Sequence, residues 1–183
     1  MPKAVRDARA ALGGLLLMVG ACAPRRPEAS VAPGVDLAAY RRLAVMPFSD
    51  RAGEARDYAP AAAKALYAVG FDVAPPESVA AILRDLDVRR GEPIAAPTLQ
   101  ELRRRTRAAA VVMGSLDCPR DPKGRRVKVL FLDSARGDAV FEFSYAPERC
   151  ATPAAAEEAA ERLAARVRRE VGERLTRTEG ALP

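Results

Sequence analysis

Apolar residues recur along the chain with two spacings, one typical of β-strands and one typical of α-helices. Short apolar or alternating runs predict five strands, at residues 42–48, 71–74, 108–116, 127–133 and 139–145. Apolar residues three and four positions apart predict four helices, at residues 57–69, 75–86, 98–106 and 152–175. This order predicts an α/β (α+β) fold in which the helices pack on a mixed sheet of four to five strands.

The strand at residues 108–116 is nearly continuous in apolar residues, as expected of a central strand that is buried on both faces. The next two strands, at residues 127–133 and 139–145, lie on either side of a short polar connection at residues 134–138. We therefore predict that these two strands form an antiparallel hairpin, which packs against strand 108–116.

Threonines precede or open two of the helical segments. We predict that Thr98 caps the third helix and that Thr152 caps the last one, because a threonine hydroxyl can accept a hydrogen bond from an unpaired amide of the first turn. Pro153 follows at the first helical position, where its missing amide hydrogen is no loss. Arginines crowd the final turns of the last helix and complement the negative end of its dipole.

The first 21 residues have the layout of a secretory signal peptide. A basic opening is followed by an apolar run at residues 10–21, which is shorter than the roughly 20 residues that a membrane-spanning helix needs. The small residues Gly20 and Ala21 close this run, directly before Cys22. The segment therefore predicts that the chain is exported.

Residues 19–22, with the sequence VGAC, resemble the lipobox at which bacterial lipoproteins are cleaved. The resemblance implies that Cys22 is the first residue of the mature chain and carries a diacylglycerol anchor, with palmitate among its acyl groups. An ordinary signal peptide cleaved elsewhere and an uncleaved anchor remain the alternatives. Ala23 stands where inner-membrane lipoproteins generally have a retention residue such as Asp, so we expect the outer membrane, with the protein facing the periplasm.

Residues 22–35 predict a tether, because three prolines and few large apolar groups cannot bury enough surface to fold. Residues 36–178 are predicted to form one domain, and residues 179–183 a short tail. A mature chain of about 160 residues is long enough for one domain with its own core, but not for two.

The composition excludes several function classes. The chain has no His and no Trp, so the commonest forms of nucleophilic triad and zinc site are absent, and we expect no enzyme activity, no catalytic residue, no metal and no cofactor. The formal net charge of +6 is mild, and the arginines are interspersed with acidic residues. This pattern does not indicate a nucleic-acid partner.

Two cysteines remain once Cys22 is assigned to the lipid. Cys118 ends the strand at residues 108–116, and Cys150 follows the strand at residues 139–145. The strand between them reverses the chain, so both cysteines are expected at the same end of the sheet. In an oxidising compartment this arrangement predicts a disulfide, with two free buried thiols as the alternative.

Four segments carry a resemblance to a known family. They are LAVMPFSD at residues 43–50, GFDV at residues 70–73, PPESVAAILRDL at residues 75–86 and AAVVMGSL at residues 109–116. Together they resemble the periplasmic lipoproteins built on the fold of the TolB amino-terminal domain, a superfamily that includes proteins of the CsgG, PelC and LpoB types. The resemblance covers roughly residues 40–175.

The matching motifs consist of structural positions. Leu43, Val45 and Phe48 are expected in the core, Pro47 is expected to end strand pairing, and Gly114 is expected to allow close approach beside the next strand. The resemblance therefore implies ring or scaffold formation and protein partners, and no residue with a catalytic role.

The sequence thus predicts a non-enzymatic outer-membrane lipoprotein that assists an envelope export or cell-wall machine through protein contacts, and a homo-oligomeric ring is one form this can take. A second hypothesis is a periplasmic ligand-binding or hydrolytic protein that uses Asp50, Glu54 and Asp57. These carboxylates follow the first predicted strand, where open α/β sheets bind ligands.

Overall fold

The computed structural model describes residues 29–50, 53–89 and 91–172. The predicted signal peptide, the predicted lipidation site Cys22 and the predicted tail at residues 179–183 lie outside the described residues. The last three residues of the helix predicted at residues 152–175 also lie outside, since the described chain ends at Gly172.

The described residues form six strands and four α-helices, which confirms the predicted α/β (α+β) class. The strands are β1 (Ala29–Val31), β2 (Arg42–Val45), β3 (Asp72–Ala74), β4 (Ala110–Asp117), β5 (Arg126–Asp133) and β6 (Ala139–Tyr145). The helices are α1 (Tyr58–Val69), α2 (Pro76–Asp85), α3 (Ala96–Thr106) and α4 (Pro153–Val171). Two short 3-10 helices, Leu37–Ala39 and Pro122–Gly124, lie in connecting segments.

All six strands belong to one mixed sheet with the order β1-β6-β5-β4-β2-β3. β2 runs parallel to both β3 and β4, whereas β4, β5 and β6 form an antiparallel meander. The predicted hairpin against strand 108–116 is therefore confirmed. The sheet is therefore parallel from β3 through β2 to β4, and antiparallel from β4 through β5 to β6.

The helices form a layer on each face of the sheet. Leu43 and Val45 join the core under α1 and α4, whereas the intervening Ala44 and the following Met46 pack in a second cluster with α2 and α3. The strict alternation places successive side chains of β2 on opposite faces. α2 and α3 thus pack on residues from β2, β3 and β4. On the neighbouring strand β5, Lys128 is exposed.

β1 differs from the sequence prediction, because it lies within the segment predicted as a tether. Ala29, Ser30 and Val31 pair antiparallel with Phe143, Glu142 and Phe141 of β6. Ala29 is buried, and Val31 and Val35 pack against the core. The three small or branched residues add an edge strand, since neighbouring backbone groups of β6 supply the hydrogen bonds that the segment cannot make alone. The folded part of the chain therefore begins before residue 36.

The two threonine caps have different outcomes. The Thr152 hydroxyl accepts a hydrogen bond from the Ala155 amide at 3.2 Å, so the predicted cap of α4 is confirmed. The cap predicted at Thr98 is wrong: α3 begins at Ala96, and the residue before it makes no side-chain cap. Pro97 stands in the first turn, and its fixed φ angle favours starting the helix earlier.

Gly114 has a different neighbour from the one expected. Leu43, Val45 and Phe48 are buried as predicted. A Cβ atom at position 114 would lie 2.3 Å from the Phe48 ring, so the glycine makes room for an aromatic side chain rather than for a neighbouring backbone. β2 ends at Val45 before Pro47, yet contact with β4 resumes at an isolated parallel bridge between Ser49 and Ser115.

Candidate functional site

One end of the sheet gathers most of the long connections. The parallel strands β2 and β4 end there, β5 begins there, and β6 also ends there. We call this the disulfide end and define it by the segments 46–50, 53–57, 118–125 and 146–152. Ligands of open α/β sheets bind outside the carboxyl ends of the strands, so a ligand-binding site is expected at this end.

The predicted disulfide is present at this end. Cys118 and Cys150 are bonded, with their Cα atoms 6.0 Å apart. Both residues pack against the core beneath α4. The guanidinium group of Arg125 adds a second link by donating a hydrogen bond to the carbonyl oxygen of Glu148. The β4–β5 and β6–α4 connections are therefore held together as one unit.

A cleft of about 280 Å³ opens beside the carboxyl ends of β2 and β4. It is bounded by the strand ends on one side and by α2 and the following connection on the other. The lining side chains are mixed in chemistry. They include Met46, Ser49, Leu83, Arg84, Arg89, Glu92 and Met113. Such a lining suits a partly apolar segment that carries a polar or charged group.

The three carboxylates of the second hypothesis do not line this cleft. Asp50 accepts hydrogen bonds from the amide of Gly53, at 3.0 Å, and from the amide of Ala55. Its carboxylate therefore stabilises the turn that leads into α1. Asp57 lies at the start of α1, beside a groove between α1 and α4, and Glu54 is exposed. The structure thus gives these carboxylates no shared cleft.

A cluster at the β6–α4 contact was missed by sequence reasoning. The Tyr145 hydroxyl donates a hydrogen bond to Glu158 Oε1 at 2.5 Å. Arg162 lies over the Tyr145 ring, 4.5 Å from its centroid, and donates to the same carboxylate. Burial and the nearby carboxylate raise the pKa of Tyr145 to about 12. The hydrogen bond from Tyr145 is the main cause that holds the pKa of Glu158 below its ordinary value, and the interaction with Arg162 lowers it further.

A second cluster lies at the opposite end of the sheet. The Tyr40 hydroxyl donates to Asp133 Oδ2 at 3.0 Å, and Asp133 Oδ1 accepts from the amides of Ala135 and Arg136. Burial raises the pKa of Asp133, but the two amide hydrogen bonds, the Tyr40 hydrogen bond and the charge of Arg136 together hold the pKa below the ordinary value. Burial and then Asp133 raise the pKa of Tyr40.

These two clusters join elements: Tyr145 links β6 to α4, and Tyr40 links the segment before β2 to the end of β5. In each cluster the pKa of the tyrosine is raised by burial and then by the carboxylate. The only signal in the sequence is the spacing of Glu158 and Arg162, which places them on one face of a helix. Their tyrosine partner comes from another element, which spacing does not reveal.

A groove of about 520 Å³ runs between the outer sides of α1 and α4. Small side chains such as Ala61, Ala65 and Ala160 form its floor, and Lys64, Glu157 and Glu161 also line it. Tyr67 of α1 is 71% exposed. It lies three residues after Lys64, on the neighbouring stripe of the helix. We call these residues the α1–α4 groove; its shallow floor and nearby aromatic ring suit contact with another protein surface.

Across residues 29–50, 53–89 and 91–172, no group of three or more His, Cys, Asp or Glu side chains is placed to hold a metal ion. In the same part of the chain, no helix is both long and apolar enough to cross a bilayer.

Comparison with known proteins gives likenesses in structure. No family model matches the chain, and no curated protein matches it. The PelC dodecamer from Paraburkholderia phytofirmans is similar with 17% identity over 78% of this chain and 95% of that one, at a TM-score of 0.46. Lipoprotein GNA1162 from Neisseria meningitidis is 18% identical over 57% of this chain and 78% of that one, at a TM-score of 0.44.

The LpoB C-terminal domain from Salmonella enterica is a third similar structure. It is 16% identical over 62% of this chain and 85% of that one, at a TM-score of 0.42. PelC and LpoB are two of the protein types named by the sequence resemblance.

Proposed function

We propose that this protein is a non-enzymatic lipoprotein, anchored to the outer membrane through Cys22 and facing the periplasm. It acts as an assembly or accessory subunit of an envelope export or cell-wall machine. Its work is contact with other proteins, either further copies of itself in a ring or a different envelope protein.

The disulfide is the observation that carries this proposal. Cys118 and Cys150 are bonded in a domain that has an extensive core of its own. Disulfides of this kind persist in oxidising compartments such as the periplasm and are rare in the cytosol. The signal peptide and the VGAC lipobox at residues 19–22 indicate the same compartment independently.

Contact rather than turnover is supported by where the side chains lie. The motifs that resemble the lipoprotein superfamily supply core residues such as Leu43, Val45 and Phe48. The chain contains no His. The α1–α4 groove, with exposed Tyr67 beside it, is the surface we propose for protein contact. Aromatic residues are enriched at such contacts because they bury a large area with few rotatable bonds.

Lipidation is tested by expressing the full chain in a Gram-negative host and measuring the mass of the amino-terminal peptide. We expect a peptide that begins at Cys22 and carries the diacylglyceryl group, recovered with the outer-membrane fraction. A Cys22→Ala variant should lose both the added mass and the membrane fraction. A wild-type peptide that begins elsewhere, or that lacks lipid, would overturn the proposed anchor.

Protein contact is tested by placing a photoreactive amino acid at Tyr67 in the same host and irradiating whole cells. We expect crosslinked species of higher mass, which mass spectrometry assigns to this chain or to an envelope protein. The matched control places the probe at Gln100, an exposed residue of α3. A lipidated protein that stays monomeric, without crosslinks at Tyr67, would contradict the contact function.

A further inference from the structure

The direction of β1 sets where the chain enters the domain. β1 is antiparallel to β6, and β6 runs towards the disulfide end. β1 therefore starts on the side of the disulfide end, with Ala29 as its first residue. Ala29 pairs with Phe143, two residues before the end of β6 at Tyr145.

The distance between this entry point and the lipid is limited by the covalent chain. Ala29 follows Cys22 by seven residues. Seven residues span at most about 25 Å when fully extended. Lipid on Cys22 therefore keeps Ala29, the first residue of β1, within about 25 Å of the membrane surface.

Basic side chains lie on the part of this end that is close to the entry point. Arg120, Lys123 and Arg126 are exposed and form no ion pair within the described part of the chain. Two acids lie close to them: Asp121 in the same segment, and Asp117, the last residue of β4 and the cross-strand partner of Arg126. The Asp121 carboxylate accepts a hydrogen bond from the Lys123 amide at 3.0 Å, so it serves to shape the turn.

The remaining charges of the disulfide end lie elsewhere or cancel. In the β6–α4 connection Arg149 is balanced by Glu148. The carboxylates Asp50, Glu54 and Asp57 follow β2, which lies beyond β4 from the entry point in the order of the sheet. Arg56 lies in the same segment and forms an ion pair with Asp57 at 3.9 Å. The basic excess is therefore concentrated beside the place where the chain must approach the lipid.

We infer that the segment 118–126 is a lipid-contact surface, on which Arg120, Lys123 and Arg126 bind the phosphate groups of anionic phospholipids. This inference rests on the proposed lipid anchor at Cys22. The disulfide and the Arg125–Glu148 hydrogen bond hold the segment in place, so little of its freedom is lost on contact. Basic residues near an anionic membrane surface are attracted within about a Debye length, roughly 8 Å at physiological salt.

The test uses the mature lipidated protein in two kinds of nanodisc, one of phosphatidylcholine and one that also contains phosphatidylglycerol. Amide hydrogen exchange is measured over residues 118–126. We expect exchange to be several-fold slower on the discs with phosphatidylglycerol, and the difference to disappear at high salt, because salt screens exposed charges. Equal exchange on both discs at low salt would overturn the inference, as would a difference that high salt leaves unchanged.

Charge-reversal variants locate the effect. The variant Arg120→Glu, Lys123→Glu, Arg126→Glu should lose the difference between the two discs. The matched control, Arg103→Glu, Arg168→Glu, Arg169→Glu, changes the charge equally at exposed positions near the ends of α3 and α4, and should keep it. Loss of the difference in both variants, or in neither, would contradict a local contact.

The mass of the amino-terminal peptide, recorded on the same samples, separates this inference from the proposed function. Lipid on Cys22 together with equal exchange on both discs would overturn the lipid contact alone. Absence of lipid on Cys22 would overturn the proposed anchor and, with it, the lipid contact.

Discussion

The space beside Gly114 is set by a single aromatic ring. A Cβ atom at this position would meet three atoms of the Phe48 ring at 2.3 to 2.4 Å, and Phe48 is fully enclosed next to Tyr58. We expect Gly114→Ala to lower the free energy of unfolding by about 1–3 kcal/mol, because the ring must shift within a packed core. Denaturant unfolding measures the loss.

A second variant shows whether the ring is the cause. In a Phe48→Leu background, Gly114→Ala should lower the free energy of unfolding by less than it does in the wild type, since the smaller side chain leaves room for the added methyl group. An equal loss in both backgrounds would show that the Phe48 ring is not what the methyl group meets.

The carboxylate of Glu158 gives stability a dependence on pH. Its pKa in the folded protein lies below the ordinary value of 4.5, because Tyr145 and Arg162 stabilise the charged form. The stabilisation is therefore present above the unfolded-state pKa and is lost as the pH falls through the folded-state pKa. We expect Glu158→Gln to lower the free energy of unfolding by roughly 0.5–1 kcal/mol at neutral pH, since the group is partly exposed.

The difference between Glu158→Gln and wild type should shrink as the pH falls below 4.5, when the wild-type carboxylate also becomes neutral. Urea unfolding at a series of pH values measures it. Glu157→Gln is the matched control. Glu157 is exposed at the preceding position of α4, so this substitution should change the free energy of unfolding little. A Glu158→Gln effect that stays constant with pH would rule out the charged hydrogen bond as its source.

α4 and α3 differ in how they begin, and this gives a paired experiment. Thr152 accepts a hydrogen bond from the amide of Ala155, so Thr152→Ala should lower the free energy of unfolding by about 1 kcal/mol. Thr98 lies inside α3 and does not cap it, so Thr98→Ala should have a smaller effect. Thermal or denaturant unfolding compares the two variants, and an equal loss would contradict this assignment of the caps.

Local pattern predicted most elements well because each carries its own period. β4, β5 and β6 were anticipated from apolar runs, and α1 and α4 from helical spacing. β1 was not, because three residues after a proline-rich stretch have no period of their own. They become a strand when β6 offers an unpaired edge, which depends on the fold around them.

The disulfide links two connections across the end of the domain. Its loop runs from residue 118 to residue 150, a separation of 32 residues. The chain-entropy model gives about 3.5 kcal/mol for closing such a loop in the unfolded state. We therefore expect the double variant Cys118→Ser, Cys150→Ser to lower the free energy of unfolding by about 3 kcal/mol, measured by denaturant unfolding of the detergent-solubilised protein.

Cys22→Ser is the matched control for this change. It removes the same type of side chain outside the disulfide, so it should leave the free energy of unfolding of the domain close to that of the wild type. Treatment of the wild type with a reductant should reproduce the loss seen in the double variant. Equal stability of the oxidised and reduced wild type would show that the bond does not constrain the unfolded chain.

The sequence predicted those features of the site that follow from the order of the strands and the number of cysteines. Cys118 and Cys150 were paired correctly, because the strands that precede them determine at which end each lies. The interaction of Tyr145 with Glu158 and the position of Gly114 under Phe48 were missed. Each of these contacts joins residues from different elements, whose distance depends on packing and not on spacing.

The amino-acid sequence determined the class of fold, the order of most elements, the pairing of the cysteines and the prediction of a lipid anchor. Each of these follows from short-range periodicity, from composition or from a short local motif such as VGAC at residues 19–22. The tertiary structure decided that residues 29–31 join the sheet and that β1 starts on the side of the disulfide end. It also separated Asp50 from the cleft, because the turn around it uses the carboxylate. Long-range backbone pairing determines the position and direction of β1, and no local pattern in residues 29–31 encodes it.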